Sequence, residues 1–544
     1  MPIPPNFAQE IGRRRTFAII SHPDAGKTTL TEKLLLYGGA LHLAGSVRAR
    51  KNQRSTTSDW MELERQRGIS VTSTVLQFEY GGCVINLLDT PGHKDFSEDT
   101  YRVLTAVDSV IMVIDAVKGV EERTRKLFEI CRLRQIPIFT FVNKMDRPAQ
   151  APLALMDELE KVLGIAAFPV TWPIGDSHDF KGVYDRLTHQ VYLFEPTEHN
   201  AHKAPVTVSG IHDEAFQRQM PPAAYAAWVE EVEMLTLAGE AFDVAAVMTG
   251  QITPLFFGSA MTNFGIQHML DYFVKFGAPP APRKGGDGAV VECARPEFSG
   301  FVFKVQANMN PKHRDSLAFV RVCSGVFEKD MTVPDPRNPA RTIRLAYPQK
   351  MFGQERESVE VAYPGDIVGL VSHGDFRIGD TLTALKGLEY HEIPRFPPEV
   401  FRYMRNPVPS KYKQYREGVG ELLDEGVIQV FTLEDSPGSA PVLGAVGQLQ
   451  FEVVQYRLKS EYNADCLLEP APYTHVRWFA PGTRKEGLGE LFLGTGVKLA
   501  RDLAGDLVIL FPSEWAIGYF REKNPAFELH TVSPADRARI QHGI

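Results

Sequence analysis

A doubly wound, mostly parallel α/β sheet with an inserted subdomain, then a small β-barrel, then an α+β domain is the architecture the sequence predicts. Three observations carry it. A short apolar run, Thr16–Ile20, breaks into a turn of small and polar residues and then into Lys27–Tyr37, which has helical spacing. Further apolar strands, Cys83–Leu88, Ser109–Asp115 and Ile138–Val142, follow, with a charged helical run, Gly119–Leu133, between the last two. Beyond the Pro/Gly-rich stretch Ala278–Gly288 the pattern changes to short β-type runs separated by turn residues.

The chain of 544 residues has room for about three domains. Lys+Arg 59 against Asp+Glu 67 leaves a net charge of −8, so a globally basic nucleic-acid binder is excluded and any such contact is confined to local patches. The five cysteines, Cys83, Cys131, Cys293, Cys323 and Cys466, are scattered with no C-x-x-C pair, which argues against a structural zinc and a disulfide framework. They read as small core residues in a reducing compartment. Met1–Arg15 has no apolar run suited to a signal peptide, and nowhere does the chain approach the ~18–20 apolar residues of a membrane span. The expectation is a cytoplasmic protein with neither a membrane nor DNA as partner.

The first strand leads into F-A-I-I-S-H-P-D-A-G-K-T-T, Phe17–Thr29. Strand, Gly-containing loop, Lys-Thr and helix start together make a phosphate-binding loop. Ser21, His22, Pro23, Asp24, Ala25 and Gly26 form the loop, whose N–H groups cradle phosphates. Lys27 brings a point charge to the outer phosphates, the Thr28 hydroxyl ligates Mg²⁺, and Thr29 continues the helix whose positive end favours the anion. Ser21 stands where the pattern normally has Gly, and serine costs more than glycine at positive φ. The plain alternative is a Gly-punctuated turn beside a surface lysine.

Leu43–Arg67 is polar, with Arg48, Arg50, Lys51 and Arg54 close together. It reads either as a surface loop or as a switch segment that orders around a γ-phosphate. It ends in R-Q-R-G-I-S-V-T, Arg65–Thr72, where Ser70 or Thr72 offers a hydroxyl to Mg²⁺ and spacing does not choose between them. Val75–Tyr80 and Cys83–Leu88 make a hairpin through Gly81-Gly82. Its second strand runs into D-T-P-G-H. Asp89 is placed as a water-mediated Mg²⁺ ligand, with Thr90 and Pro91 forming the turn. Gly92 turns an N–H toward the γ-phosphate, and His93 orients the attacking water.

The strand Ile138–Val142 ends in N-K-M-D: Asn143, Lys144, Met145 and Asp146. The Asp146 carboxylate accepts two N–H bonds from guanine, and adenine lacks that donor pair. Asn143 and Lys144 hold the loop and flank the base. F-F-G-S-A, Phe256–Ala260, ends a later strand, and Ser259 and Ala260 bring a backbone N–H to the guanine O6. Four motifs in this order, each at the C-terminal end of a strand, specify a GTP- and GDP-binding domain.

The stretch 147–257 is far longer than a plain crossover and carries helical runs (Ala151–Leu163, Ala223–Ala246) and strands (Val183–Phe194), so it reads as an inserted subdomain. The domains expected are 1–280, GTP-binding; 281–392, the β-barrel; and 393–544, α+β. In the last, Lys411–Leu423 is helical, Val427–Leu433 a strand, and Leu443–Leu458 moves from a Gly turn into a helix. The remainder alternates strands and turns, without an assigned topology.

With S-H-P-D-A-G-K-T-T, R-G-I-S, D-T-P-G-H, N-K-M-D and G-S-A, the chain resembles the translational GTPases, and among them the bacterial class-II peptide chain release factors. Elongation factor G is similar through the third domain, including L-G-A-V-G-Q-L-Q-F-E-V-V-Q-Y-R-L, but carries two further domains for which too few residues remain here. Pro23 and Ser70 are also release-factor-like. The resemblance implies that residues 21–28, 89–93 and 143–146 bind GTP, that Ser70 is the switch hydroxyl on Mg²⁺ with Thr72 as fallback, and that Ile69 and Pro23 gate the swing of His93. It implies a ribosome-dependent GTPase that drives class-I release factors off after peptide release. Contact with ribosomal RNA is expected through patches such as Arg48–Arg54 and Lys411–Arg416, and is salt-sensitive. An elongation-type translocase and a GTP-regulated binding module or metabolic GTPase subunit are the competing readings.

Overall fold

The computed structural model describes residues 4–39, 73–195, 206–238, 241–307, 316–352, 355–372, 375–390, 397–435, 440–480, 483 and 491–533. The chain divides into two compact units. One comprises Ala8–His93 and Val107–Ala281; the other comprises Met1–Phe7, Lys94–Ala106 and Pro282–Ile544.

The first unit is the predicted α/β sheet with its insert. Its strands are β1 (Arg14–Ser21), β2 (Thr74–Tyr80), β3 (Cys83–Asp89), β4 (Ser109–Asp115), β5 (Ile138–Asn143), β6 (Ala166–Pro169), β7 (Thr171–Ile174), β8 (Gly182–Asp185), β9 (Gln190–Phe194), β10 (Val206–Ser209) and β11 (Ile252–Phe257). They line up as β2-β3-β1-β4-β5-β11-β6, parallel except for the β2–β3 hairpin. Gly81 and Gly82 close that hairpin at φ 56° and 78°, where a side chain is strained. Central parallel strands are covered on both faces, so Phe17–Ile20 and Val110–Ile114 read as unbroken apolar runs and are buried throughout. Phe17 and Phe139 pack on Phe273 of the Ile266–Phe276 helix, with ring centroids 4.5 and 5.0 Å apart.

The insert forms its own antiparallel sheet, β7-β8-β9-β10. Asp185, at the end of β8, fastens it to the core. Its Oδ2 accepts hydrogen bonds from His268 Nε2 and Tyr272 Oη, both at 2.7 Å. The expected single helix Ala223–Ala246 is two, Pro222–Ala238 and Val244–Met248, because the Asp243 side chain accepts the Ala245 N–H at 2.8 Å and starts the second. The helix expected from Gly119 begins at Glu122, since Gly119 sits at φ 76°.

In the second unit, antiparallel strands including Ser299–Ala307, Ser316–Ser324 and Ile367–Ser372 enclose a core of Val302, Val320, Leu345 and Leu370, as a barrel pattern requires. The α+β part has a seven-stranded antiparallel sheet. The Tyr412–Asp424 and Gln448–Tyr462 helices bury Leu422, Phe451, Val454 and Leu458 in one cluster with Leu443 and Ala445 of that sheet. The Gly turn expected at the start of Leu443–Leu458 is instead part of the strand Val442–Ala445 of that sheet, and the helix follows it. The stretch left without a topology supplies the strands His475–Trp478, Lys498–Arg501 and Leu507–Phe511, then a helix, Glu514–Lys523, capped by the Ser513 side chain.

Candidate active site

β1 lies between β3 and β4, so the direction in which strands are added reverses at its C-terminal end. Ligands bind at such ends. The loop leaving β1 turns through left-handed residues at Asp24 (φ 66°) and Gly26 (φ 94°). A Cβ on Gly26 would lie 2.3 Å from Asn143 Nδ2, so glycine is needed there for conformation and for space. Ser21 ends the strand and is not one of the left-handed positions, so serine carries none of the backbone cost expected of it. Among the described residues its Oγ has no hydrogen-bond partner although it is buried, a polar atom orphaned at the mouth of the loop. The helical bonds begin with Leu30 N–H to the Gly26 carbonyl at 2.9 Å, leaving the first-turn N–H groups without helical acceptors.

Lys27, 6% exposed, forms an ion pair with Asp89, 2% exposed. The two motifs therefore meet through their charged side chains. Thr28 and Thr29 follow at the helix start, both half-buried. Thr90 Oγ1 donates to the Ile19 carbonyl at 2.7 Å and pins the D-T-P-G-H turn to β1. A Cβ on Gly92 would reach Pro23 Cα at 3.6 Å, so Gly92 lies against the loop, with half-buried His93 next to it. A hydroxyl at Thr28 and a carboxylate at Asp89 are the hard oxygen donors that suit Mg²⁺. Among the described residues no group of three or more His, Cys, Asp or Glu forms a metal cage.

The N-K-M-D segment braces the loop from the side. Asn143 Nδ2 donates to the Ala25 carbonyl at 2.8 Å, and Lys144 Nζ donates to the Asp24 carbonyl. Lys144, at φ 70°, also pairs with Asp115 at 2.7 Å. Burial would raise the Asp115 pKa, but hydrogen bonds from Lys144 and the Val117 N–H outweigh it and hold the carboxyl below its usual range. Met145 is fully buried, and its N–H bonds the Gly258 carbonyl at 3.1 Å. Ser259 Oγ donates to Asp146 Oδ1 at 2.6 Å, which orients the carboxylate. The Ala260 N–H goes to Asn143 Oδ1 at 2.8 Å, so reaching a base requires that bond to be shared or exchanged.

The structure thus brings Ser21–Thr29, Asp89–His93, Asn143–Asp146 and Ser259–Ala260 to one end of one sheet. Ile69, Ser70, Thr72 and Arg48–Arg54 lie outside the described residues. Glu121 was not singled out in the sequence; its Oε2 lies 2.7 Å from His22 Nδ1 and ties the loop to the start of the Glu122–Leu133 helix. Asp115, also missed, ends an apolar strand, which was a usable signal.

Three family descriptions match: Elongation factor Tu GTP binding domain over residues 12–279, Elongation factor G domain 2 over 297–385, and Class II release factor RF3, C-terminal domain, over 390–521. A peptide chain release factor 3 from Gloeobacter violaceus is 56% identical over 532 residues, 97% of this chain and 99% of that one. The chain belongs to the peptide chain release factor 3 family. Its function is that of a GTPase acting in the termination of translation. Another member of the family, from Microcystis aeruginosa, is 54% identical over 523 residues, 96% of this chain and 95% of that one. A solved structure from Thermus thermophilus, 20% identical, aligns with a TM-score of 0.68 over 90% of this chain and 72% of that one, a likeness of fold.

In this release factor the chain passes from one unit to the other between His93 and Lys94. The segment after the D-T-P-G-H motif is held by residues more than 300 positions away. Asp95 Oδ2 accepts the Leu449 N–H at 2.8 Å. Arg102 donates to the Glu425 and Gly426 carbonyls at 3.3 and 3.2 Å, and to Glu98 at 2.6 Å. Glu425 in turn receives a bidentate pair from Arg457, at 2.5 and 2.9 Å, and the Ala307 N–H of the barrel at 2.7 Å. No local pattern marks these residues in the sequence.

Proposed function

We propose that the chain is a ribosome-stimulated GTPase that promotes dissociation of a class-I release factor after the peptide has been freed. It acts as a cytoplasmic monomer with domains at 1–280, 281–392 and 393–544. The observation that carries this reading is the meeting of the phosphate loop, D-T-P-G-H and N-K-M-D at the end of β1, in a chain whose C-terminal part matches a class-II release factor domain.

In this reading residues 21–29 wrap the phosphates, with Ser21 Oγ and the loop N–H groups as donors. Lys27 exchanges Asp89 for the β- and γ-phosphates and stabilises the charge developing there. Thr28, Asp89 and Ser70, or Thr72 in its place, would hold Mg²⁺, which when bound neutralises phosphate charge. Asp146, oriented by Ser259, accepts from the guanine N–H groups. His93 orients the water. Nucleotide state biases the segment from Lys94 onward, and this is a coupling free energy that acts in both directions between nucleotide and ribosome.

The test is a ribosome complex halted after peptide release with a labelled class-I factor bound. Addition of the protein with GTP speeds loss of the label in this reading. Movement of tRNA without loss of the factor would instead favour a translocase.

A further inference from the structure

The Glu514–Lys523 helix carries an aromatic column that packing does not explain. Trp515 is 75% exposed, although its ring stacks on Tyr519 with centroids 5.2 Å apart and planes within 9°. Lys523 Nζ lies 5.6 Å from the centre of the Tyr519 ring. The three residues are spaced i, i+4 and i+8, so cation, phenol and indole form one stripe on the solvent face. On the adjoining face Ala516, Ile517 and Phe520 fill the core. Tyr519 is braced by Phe492, 5.9 Å away, and Asn524 holds the Phe492 backbone through both its N–H (2.9 Å) and its carbonyl (3.0 Å). The column is therefore set before any partner arrives.

Gly518 is the independent observation. It sits inside this helix, exposed, and a Cβ there would meet nothing within 4 Å. Neither packing nor backbone conformation calls for glycine, and glycine weakens a helix interior. Three positions from Trp515, it leaves bare backbone beside the indole. That suits a flat group lying close to the helix at the side of the stack.

We propose that Trp515, Tyr519 and Gly518 form a stacking platform for an unpaired base of single-stranded RNA, with Lys523 at the end of the stack beside its phosphate. Stacking on an aromatic face flanked by cations is the chemistry of single-strand binding, and it tolerates any base. Glu514 and Glu522 share this helix, and Glu522 Oε1 lies 3.7 Å from Lys523 Nζ, which limits the charge attraction, so stacking carries the affinity. The proposal deepens the ribosomal reading by naming the chemistry of one contact, and it takes from that reading only the source of the RNA.

The test uses the full-length protein and a fluorescein-labelled dodecauridylate, read by anisotropy at low salt, with the matching RNA duplex as comparison. The wild type binds the single strand in preference to the duplex. Trp515→Ala weakens that binding about tenfold to a hundredfold, and Trp515→Phe retains most of it. Gly518→Ala raises the thermal midpoint yet weakens binding, a pairing that a purely structural role does not give. Unchanged binding in Trp515→Ala, or no preference for the single strand, overturns the proposal. Loss of ribosome association in Trp515→Ala with oligouridylate binding intact also overturns it, in favour of a protein surface. Failure of ribosomes to stimulate hydrolysis, with the oligonucleotide results as stated, would sink the ribosomal reading and leave the platform standing.

Discussion

The Asp95 carboxylate caps the helix that begins at Gln448, accepting the Leu449 N–H at 2.8 Å. Gly447 is the N-cap residue and has no side chain to do this, and a Cβ on it would lie 2.1 Å from the Asp95 carboxyl carbon. Gln450 completes the arrangement by accepting the Gly447 N–H at 3.0 Å. A residue two positions after His93 thus supplies the acceptor that a distant helix lacks.

Asp95→Ala removes that acceptor, at a cost of about 1 kcal/mol. Amide hydrogen exchange at Leu449 should speed about fivefold. Gly447→Ala is more damaging while Asp95 is present, because the two side chains collide. In a double-mutant cycle the pair Asp95→Ala, Gly447→Ala should therefore cost less than the sum of the single changes, and strict additivity would refute the contact.

Base selection rests on Asp146, which Ser259 orients. Asp146→Asn replaces a charged acceptor with a group that also donates toward the guanine N–H groups. GDP affinity, measured by displacement of a fluorescent analogue, should fall at least about a hundredfold. Affinity for the xanthine nucleotide, whose ring offers a carbonyl at that position, should rise. A variant that keeps its guanine preference would place the base elsewhere.

The Arg457–Glu425 pair is buried, each side chain 5% exposed or less. Burial alone would lower the Arg457 pKa, but Glu425 and Glu461 reverse this and hold it well above its ordinary value. Glu425→Ala leaves Arg457 with Glu461 alone, at 2.7 and 3.0 Å, and leaves the Ala307 N–H without its acceptor. The expected loss is about 1–3 kcal/mol, read as a drop in the unfolding midpoint of the full-length chain, with Arg457→Met costing more, about 3–5 kcal/mol, because it leaves Glu425 and Glu461 without their shared cation. Equal effects from the two changes would mean that the network adds nothing beyond packing.

Burial raises the Asp185 pKa, and hydrogen bonds from His268 and Tyr272 more than offset it, leaving the group below its usual range. A depressed carboxylate adds stability that is complete above its unfolded pKa of about 3.9 and is lost as pH falls through the folded value. The difference in thermal midpoint between wild type and Asp185→Asn should stay constant from neutral pH to about 5 and shrink below about 4. A difference that grows on acidification would reverse the sign of this account.

The sheet and its motifs were legible because each rests on a local signal. Apolar runs such as Phe17–Ile20 fix central strands, and Gly26, Asp89 and Asn143 sit at their ends, where the backbone turns. What stayed hidden depends on partners far away in the chain. Nothing near Asp95 or Arg102 announces Leu449 or Gly426, because a cap formed through space leaves no periodicity. The Glu514–Lys523 helix went unassigned although Ser513 is a cap residue, since Gly518 and two aromatic residues dilute its helical pattern. The break at Asp243 was hidden in the same way, by alanine-rich sequence on both sides.

The most direct test of the central claim is GTP hydrolysis by the full-length protein, with and without ribosomes, for wild type and His93→Ala. The account predicts slow turnover alone, strong stimulation by ribosomes, and loss of at least about a hundredfold of the stimulated rate in the variant while GTP binding is retained. Equal rates with and without ribosomes, or full stimulation of His93→Ala, would contradict it.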